Sequence, residues 1–286
     1  MNKNILMTIL FLGILLTFTG CETSTTIDNT ETINTGNTDS QTGTTGPADT
    51  GNGAAVNTDT GSMQYEVESS DVEYFNGVNG FYAHPSVDGN YPGVIMIHEW
   101  WGLNAEIKAY AEKLAAEGYN VLAVDLYNGK VAATSDEARN YSRSINQTQA
   151  IENMNTAFNY LKDRDSTTVG SLGWCFGGGQ SMQLALNNEN LDATVIYYGT
   201  LVTDESQLEK IEWPVLGVFG DKDTSIPVDK VVEFEEALND AGVENEIYIY
   251  PGVGHAFANP TGQNYAPQET QDAWSKTLNF LDRNLK

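Results

Sequence analysis

The chain has 286 residues and carries 39 Asp and Glu against 14 Lys and Arg, a formal net charge of −25. A surface this acidic repels phosphate backbones and anionic lipid faces, which excludes nucleic acid as a partner and fits a salt-adapted, soluble exterior. Only two cysteines are present, Cys21 and Cys175, so a disulfide framework is excluded as well.

Residues 1–20 read as an export signal, with Lys3 ahead of the apolar run "ILMTILFLGILLTF" (5–18). That run is short for a membrane span, which needs about 20 apolar residues. The segment "FTGC" (18–21) resembles a lipobox with Phe18 in place of Leu, which implies a lipidated Cys21; an uncleaved signal anchor is the alternative. Residues 21–64 follow as a tether: positions 22–64 hold 13 Thr, 6 Gly and no Lys or Arg. Such a stretch buries too little apolar surface to offset its ordering entropy, and its r.m.s. reach is roughly 35–40 Å. Six acidic residues in the tether and Lys3 in the leader leave −20 for residues 65–286. The expected location is outside the cytoplasmic membrane, anchored by the N-terminus, as a monomer by default. If lipid occupies Cys21, Cys175 is a leftover thiol in an oxidising compartment, which marks it as a reactive candidate.

From residue 65 the pattern becomes apolar runs alternating with helical periodicity. "VEYFNG" (72–77) and "VNGFYAHP" (78–85) predict a hairpin through Asn76-Gly77. "GVIMIHE" (93–99) is a continuous apolar run, as a strand covered on both faces requires. Residues 104–117 predict a helix with Asn104 as cap, Gly118 as stop, and Ile107, Tyr110 and Leu114 on one face. "YNVLAVDLY" (119–127) predicts a strand, and 135–163 one long helix with Ile151, Met154, Phe158 and Leu161 at helical spacing. Strands at 168–174, 193–199, 214–220 and 245–252 then alternate with helices at 176–188, 228–241 and 267–284. This alternation means an α/β domain over 65–286, with a mainly parallel sheet and helices on both faces.

In such a sheet, ligands bind beyond the carboxyl ends of the strands. Four candidates fall there: Glu99, Cys175, Asp223 and His255, the last three separated by 48 and 32 residues. Nucleophile, acid, histidine is the chain order of α/β-hydrolases. In "GWCFGGG" (173–179) glycines flank the cysteine, as a tight strand-to-helix turn demands, and the following helix start offers backbone N–H groups to a thiolate or an oxyanion. The N–H groups of Phe176 and Trp100 are the candidate oxyanion donors. No G-x-S-x-G occurs, so no serine competes for the nucleophile position.

The motifs "HEWWGLN" (98–104), "GWCFGGG" (173–179), "GDKDTSIP" (220–227) and "PGVGHAF" (251–257) resemble those of the dienelactone hydrolase family, in order and spacing, over 72–286. The resemblance implies the α/β-hydrolase fold, Cys175 as nucleophile, Asp223 and His255 as its triad partners, and Glu99 as the carboxylate beside the thiol. It implies ester or lactone hydrolysis with no cofactor and no metal. In the family, arginines hold the substrate carboxylate, one of them four positions after the histidine; here that position is Asn259. Arg139 and Arg143 lie where another could come from, though no motif fixes either. Trp100, Trp101, Phe176 and Tyr127 accordingly suggest a less charged acyl or lactone ligand, with Trp101, Tyr127 and Asn259 as substrate-binding candidates.

Other residues read as structural. H-E-x-x-H would need a second histidine at Gly102, so His98 is expected to be structural rather than a zinc ligand. His84 is expected at the surface, Asp125 as a loop anchor, and Asp221 as the weaker rival of Asp223. The sequons "NYS" (140–142) and "NQT" (146–148) both fall in the predicted helix. The competing function classes are a general carboxylesterase or thioesterase, and a surface binding lipoprotein that kept the fold and lost catalysis.

Overall fold

Asn76 and Gly77 adopt φ of 44° and 83°, the left-handed pair that a two-residue hairpin turn requires. They join β1 (Val67–Phe75) to β2 (Val78–Pro85) in antiparallel register, with Ser70 opposite Tyr82. The computed structural model describes residues 64–286; the expected leader, Cys21 and nearly all of the tether lie outside them.

The remaining strands are β3 (Gly93–Ile97), β4 (Asn120–Val124), β5 (Val169–Trp174), β6 (Ala193–Tyr197), β7 (Val215–Gly220) and β8 (Asn245–Tyr250). They make one eight-stranded sheet in the order β1-β2-β4-β3-β5-β6-β7-β8. β2 meets β4 antiparallel, and every pairing from β4 to β8 is parallel. Strands β3 to β7 are buried along their whole length because helices cover both faces.

Alternation along each strand builds two cores. Val94, Met96, Val121, Leu172 and Val195 face one side with α1 (Ala105–Ala116) and α7 (Pro267–Leu285). Ile95, Ile97, Leu122, Ile196 and Phe219 face the other, with α3 (Gln147–Lys162), α4 (Phe176–Ala185) and α6 (Val228–Asp240). Among the described residues no helix is long and apolar enough to cross a membrane.

Most predicted elements appear within a few residues of their expected bounds. Asn104 caps α1 by accepting from the Ile107 N–H, and Gly118, at φ 90°, ends it. The long helix expected over 135–163 is two: α2 (Ser135–Arg143), capped by Thr134, and α3, capped by Asn146. The Ser144 hydroxyl bonds back to the Asn140 and Tyr141 carbonyls and closes α2, so the chain turns before Asn146 restarts it. Asn146 of the second sequon is therefore a helix cap rather than a helix interior residue. A short α5 (Glu205–Leu208), capped by Asp204, was not expected.

The strand order reverses between β3 and β5, the neighbours that start the two halves of the parallel sheet. A crevice outside the carboxyl ends of these two strands is where such sheets bind ligands. β3 leads into His98, Glu99 and Trp100, and β5 leads into Cys175.

Candidate active site

Cys175 follows β5 directly and occupies the N-cap position of α4 with φ 53° and ψ −114°. A non-glycine residue there is strained, and such strain persists only where the surroundings impose it. The glycines at 173 and 177 allow that turn to close. A methyl group on Gly173 would stand 2.1 Å from the Gly177 carbonyl oxygen, and one on Gly177 would stand 2.2 Å from that of Ile97. Helix caps usually spend a side chain on the first-turn N–H groups; the cysteine side chain makes no such bond.

The thiol is engaged elsewhere. Cys175 Sγ lies 3.0 Å from His255 Nε2, and His255 Nδ1 lies 2.7 Å from Asp223 Oδ2. Asp223 is buried, and its Oδ1 accepts from the Ser225 and Ile226 N–H groups at 2.7 and 3.0 Å. Burial works against its charge, but the His255 ring and these two amides prevail and hold its pKa below the usual carboxylate value. Burial also works against a charged His255 ring. The bonds to Asp223 and Cys175, with their charges, outweigh it and push the imidazole up to about 10. Asn264 Nδ2 donates to the His255 carbonyl at 2.9 Å and steadies the loop.

Asp221, the weaker rival, accepts from the Gly252 N–H at 2.6 Å and pairs with Lys222, away from the ring. Asp125 anchors its loop as expected, accepting from the N–H groups of Tyr127 and Gly129. His98 is fully buried. Its Nε2 accepts from the Leu126 N–H at 3.2 Å, so its proton sits on Nδ1 and goes to the Glu99 carbonyl at 2.6 Å. That is a neutral, structural histidine. His84 is half-buried rather than free at the surface, with its ring stacked 4.9 Å from Tyr82. Among the described residues no group of three or more His, Cys, Asp and Glu side chains could hold a metal ion.

Glu99 is buried among the groups around His255, but it is not bonded to the thiol. Its hydrogen bonds run to Asn259 Nδ2, 2.5 Å from Oε2, and to the Tyr198 hydroxyl, 3.4 Å from Oε1, and none runs to the thiol. Burial pushes its carboxyl up to about 7, against the pull of Asn259, His255 and Tyr198. The thiol is bonded to His255, which leaves the carboxyl to these neutral donors. Asn259 is likewise occupied within the chain rather than open to a ligand.

The N–H of Trp100 donates to no protein acceptor among the described residues. Phe176 is the first residue of α4, where the helix supplies no acceptor for its N–H. The aromatic groups divide. Trp100 and Trp101 pack edge to face at 5.1 Å and stay half-exposed. Tyr127 is buried, its ring 4.7 Å from His98 and 5.4 Å from Phe176. Beside it opens a cleft of about 490 Å³ shared with Tyr141 and Lys130. The His255 side chain is 27% exposed, so the thiol–imidazole pair is reached from the surface instead.

Sequence reasoning missed Tyr198. It follows β6 with φ 35°, its ring lies 5.3 Å from His255, and its hydroxyl is bonded to Glu99. The strand-end rule that picked out the other four residues applies equally to "IYYG" (196–199) and would have found it.

The dienelactone hydrolase family model matches residues 78–285, nearly the whole described domain. The chain belongs to the dienelactone hydrolase family. It is 34% identical over 221 residues to "Protein usf" of Aquifex pyrophilus, covering 73% of this chain and 94% of that protein. It is 30% identical over 235 residues to a "Putative carboxymethylenebutenolidase" of Saccharolobus solfataricus, covering 66% of this chain and 88% of the relative. Among solved structures, a "Putative Dienelactone Hydrolase" from Klebsiella pneumoniae superposes with a TM-score of 0.70 at 26% identity, covering 76% of this chain and 99% of the other. A dienelactone hydrolase-like promiscuous phosphotriesterase from metagenomic libraries shares the fold, with a TM-score of 0.69 at 22% identity. The protein is thus a dienelactone hydrolase-like enzyme of the carboxylic ester hydrolase class, with an α/β-hydrolase fold.

Proposed function

We propose that this enzyme cleaves uncharged ester or lactone bonds by acyl transfer through Cys175. The observation that carries this reading is the thiol at a strained helix N-cap, 3.0 Å from an imidazole that is itself bonded to a buried carboxylate. His255 takes the thiol proton, and the sulfur attacks the ester carbonyl carbon. The negative oxygen of the tetrahedral intermediate lies against the free N–H groups of Phe176 and Trp100. The C–O bond breaks as His255 returns its proton to the leaving alcohol, and a thioester remains. Water then attacks the thioester while His255 accepts its proton, the C–S bond breaks as His255 returns that proton to sulfur, and the acid departs. Asp223 fixes the ring with Nδ1 protonated and Nε2 towards sulfur.

Hydrolysis of aryl esters and enol lactones, with and without a carboxylate group, tests this reading in the wild type and in Cys175→Ala. Turnover that vanishes in the variant supports it; turnover that survives refutes it. Faster cleavage of enol lactones than of open-chain esters favours a lactone hydrolase over a general carboxylesterase. We further propose that Cys21 carries lipid and the tether holds the domain outside the membrane, a reading supported by the leader sequence alone. Metabolic labelling with a radioactive fatty acid, lost in Cys21→Ala, is the expected result.

A further inference from the structure

The 490 Å³ cleft beside Tyr127 is unlike the usual apolar pocket for a small molecule, although its volume falls within the roughly 300–1,000 Å³ of such sites. It opens between the β1–β2 turn, the loop after β4 and the break between α2 and α3, and its walls carry the amides of Asn76, Asn128, Asn146, Gln149 and Asn153. Asn76 and Asn128 sit in left-handed backbone, φ 44° and 55°, a conformation asparagine tolerates, so each amide starts from a fixed point on the rim. Asn146 caps α3 through its Oδ1, which accepts from the Gln149 N–H at 3.1 Å and leaves Nδ2 as a donor. Among the described residues, the exposed side-chain amides of Asn76, Asn128 and Gln149 make no hydrogen bond within the chain. The Tyr127 hydroxyl is buried in the same wall without a partner, and the nearby Ser142 hydroxyl donates to the Arg139 carbonyl at 3.2 Å. Charge is sparse: Asp125 gives both oxygens to the N–H groups of Tyr127 and Gly129, which leaves Glu152 and Lys130. Phe75 and Tyr141 add aromatic rings.

We infer that this cleft is a binding site for a neutral saccharide. Each sugar hydroxyl both donates and accepts, and a side-chain amide is the neutral group that can answer it in both senses. The aromatic rings meet the C–H faces of a pyranose, and amides on short, anchored side chains lose little freedom on binding. A domain charge of −20 turns away acidic sugars. The site stands apart from the reacting groups proposed above, but it shares a wall with them: the Tyr127 ring lies 5.4 Å from that of Phe176, the residue after Cys175. The Ala132 N–H, two residues past Lys130, donates to the Trp101 carbonyl at 2.8 Å. A saccharide held there lies at the end of the sheet that carries the thiol.

Titration calorimetry of the full-length chain with xylohexaose, cellohexaose, mannohexaose and maltohexaose tests the site, and at least one of them is expected to bind. Gln149→Ala and Asn128→Gly should each weaken that binding about threefold to tenfold, the loss of one neutral hydrogen bond. Both positions are exposed, and glycine adopts φ 55° freely, so both variants should keep the fold. Gln271→Ala, an exposed amide on α7 outside the cleft, should bind as the wild type does. No heat from any of the four sugars at millimolar concentration would overturn the inference, as would affinity unchanged in both cleft variants or lowered equally in Gln271→Ala. A hexapeptide of glycine and serine that binds as tightly as the best sugar would also overturn it and point to a peptide ligand. Cys175→Ala should bind the sugar undiminished, and Gln149→Ala should cleave a small aryl ester at the wild-type rate. Saccharide binding by a wild type that cleaves no ester would therefore refute the hydrolytic reading alone and leave the site standing.

Discussion

Two buried carboxyl groups flank His255 and answer burial in opposite ways. Asp223, in the loop after β7, is 4% exposed, and Glu99, in the loop after β3, is 7% exposed. Asp223 is held below its ordinary pKa by two backbone N–H groups and the imidazole, whereas Glu99, served by an amide and a distant phenol, is pushed up to about 7. Burial alone therefore does not set the charge of a carboxyl; the donors aimed at its oxygens do. One group is built to stay ionised and orient a ring, and the other can hold a proton near neutral pH.

The largest expected effect comes from breaking the Asp223 side. Asp223→Asn preserves size but presents a neutral amide to Nδ1 and favours the wrong ring tautomer. Ester turnover should fall by about 10³–10⁴-fold in kcat, with the fold retained by circular dichroism. A fall of less than about tenfold would mean that the bond to His255 is structural only.

Removing the titration of Glu99 sharpens the contrast through stability. A carboxyl raised from its ordinary 4.5 to about 7 favours the folded state fully below pH 4.5, and that contribution is lost as pH rises through about 7. Urea unfolding of Glu99→Gln against wild type should show the variant gaining about 3 kcal/mol between pH 4 and pH 8. No difference between the two pH values would mean that Glu99 ionises as freely as in the unfolded chain. His255 has its own window. With its ring raised to about 10, the stabilisation it provides is complete below pH 6.5 and lost as pH rises through about 10. His255→Gln should remove that alkaline loss.

The smallest effect belongs to the 3.4 Å contact. Tyr198→Phe deletes only this weak bond to Glu99, so stability and the ester rate should each change by about 1 kcal/mol or less. A larger loss would place the phenol in the chemistry itself.

Much of this is legible in the amino-acid sequence. The Asn-Gly turn, the Asn104 cap and the continuous apolar strands are local signals, and each appears as written. The chain Cys175–His255–Asp223 was readable because strand ends and motif order carry it. Two things were not. The break at residues 144–146 has no Gly or Pro to announce it, only a serine and an asparagine whose side chains bond to backbone. The partner of Glu99 was hidden as well, since a contact between residues 99 and 259 depends on how two distant loops meet beyond the carboxyl ends of the strands. Asn259 reads as a substrate contact in sequence because it stands four positions after His255, where the resembled family has an arginine for the substrate carboxylate.

The most direct test of the account is to trap the acyl-enzyme. A slowly hydrolysed aryl ester, quenched in acid within the first turnover, should add one acyl mass to the intact protein. Peptide mapping should place that mass on Cys175, and hydroxylamine should remove it as a thioester. Turnover with no adduct on Cys175, or with the acyl group on another residue, would contradict the account.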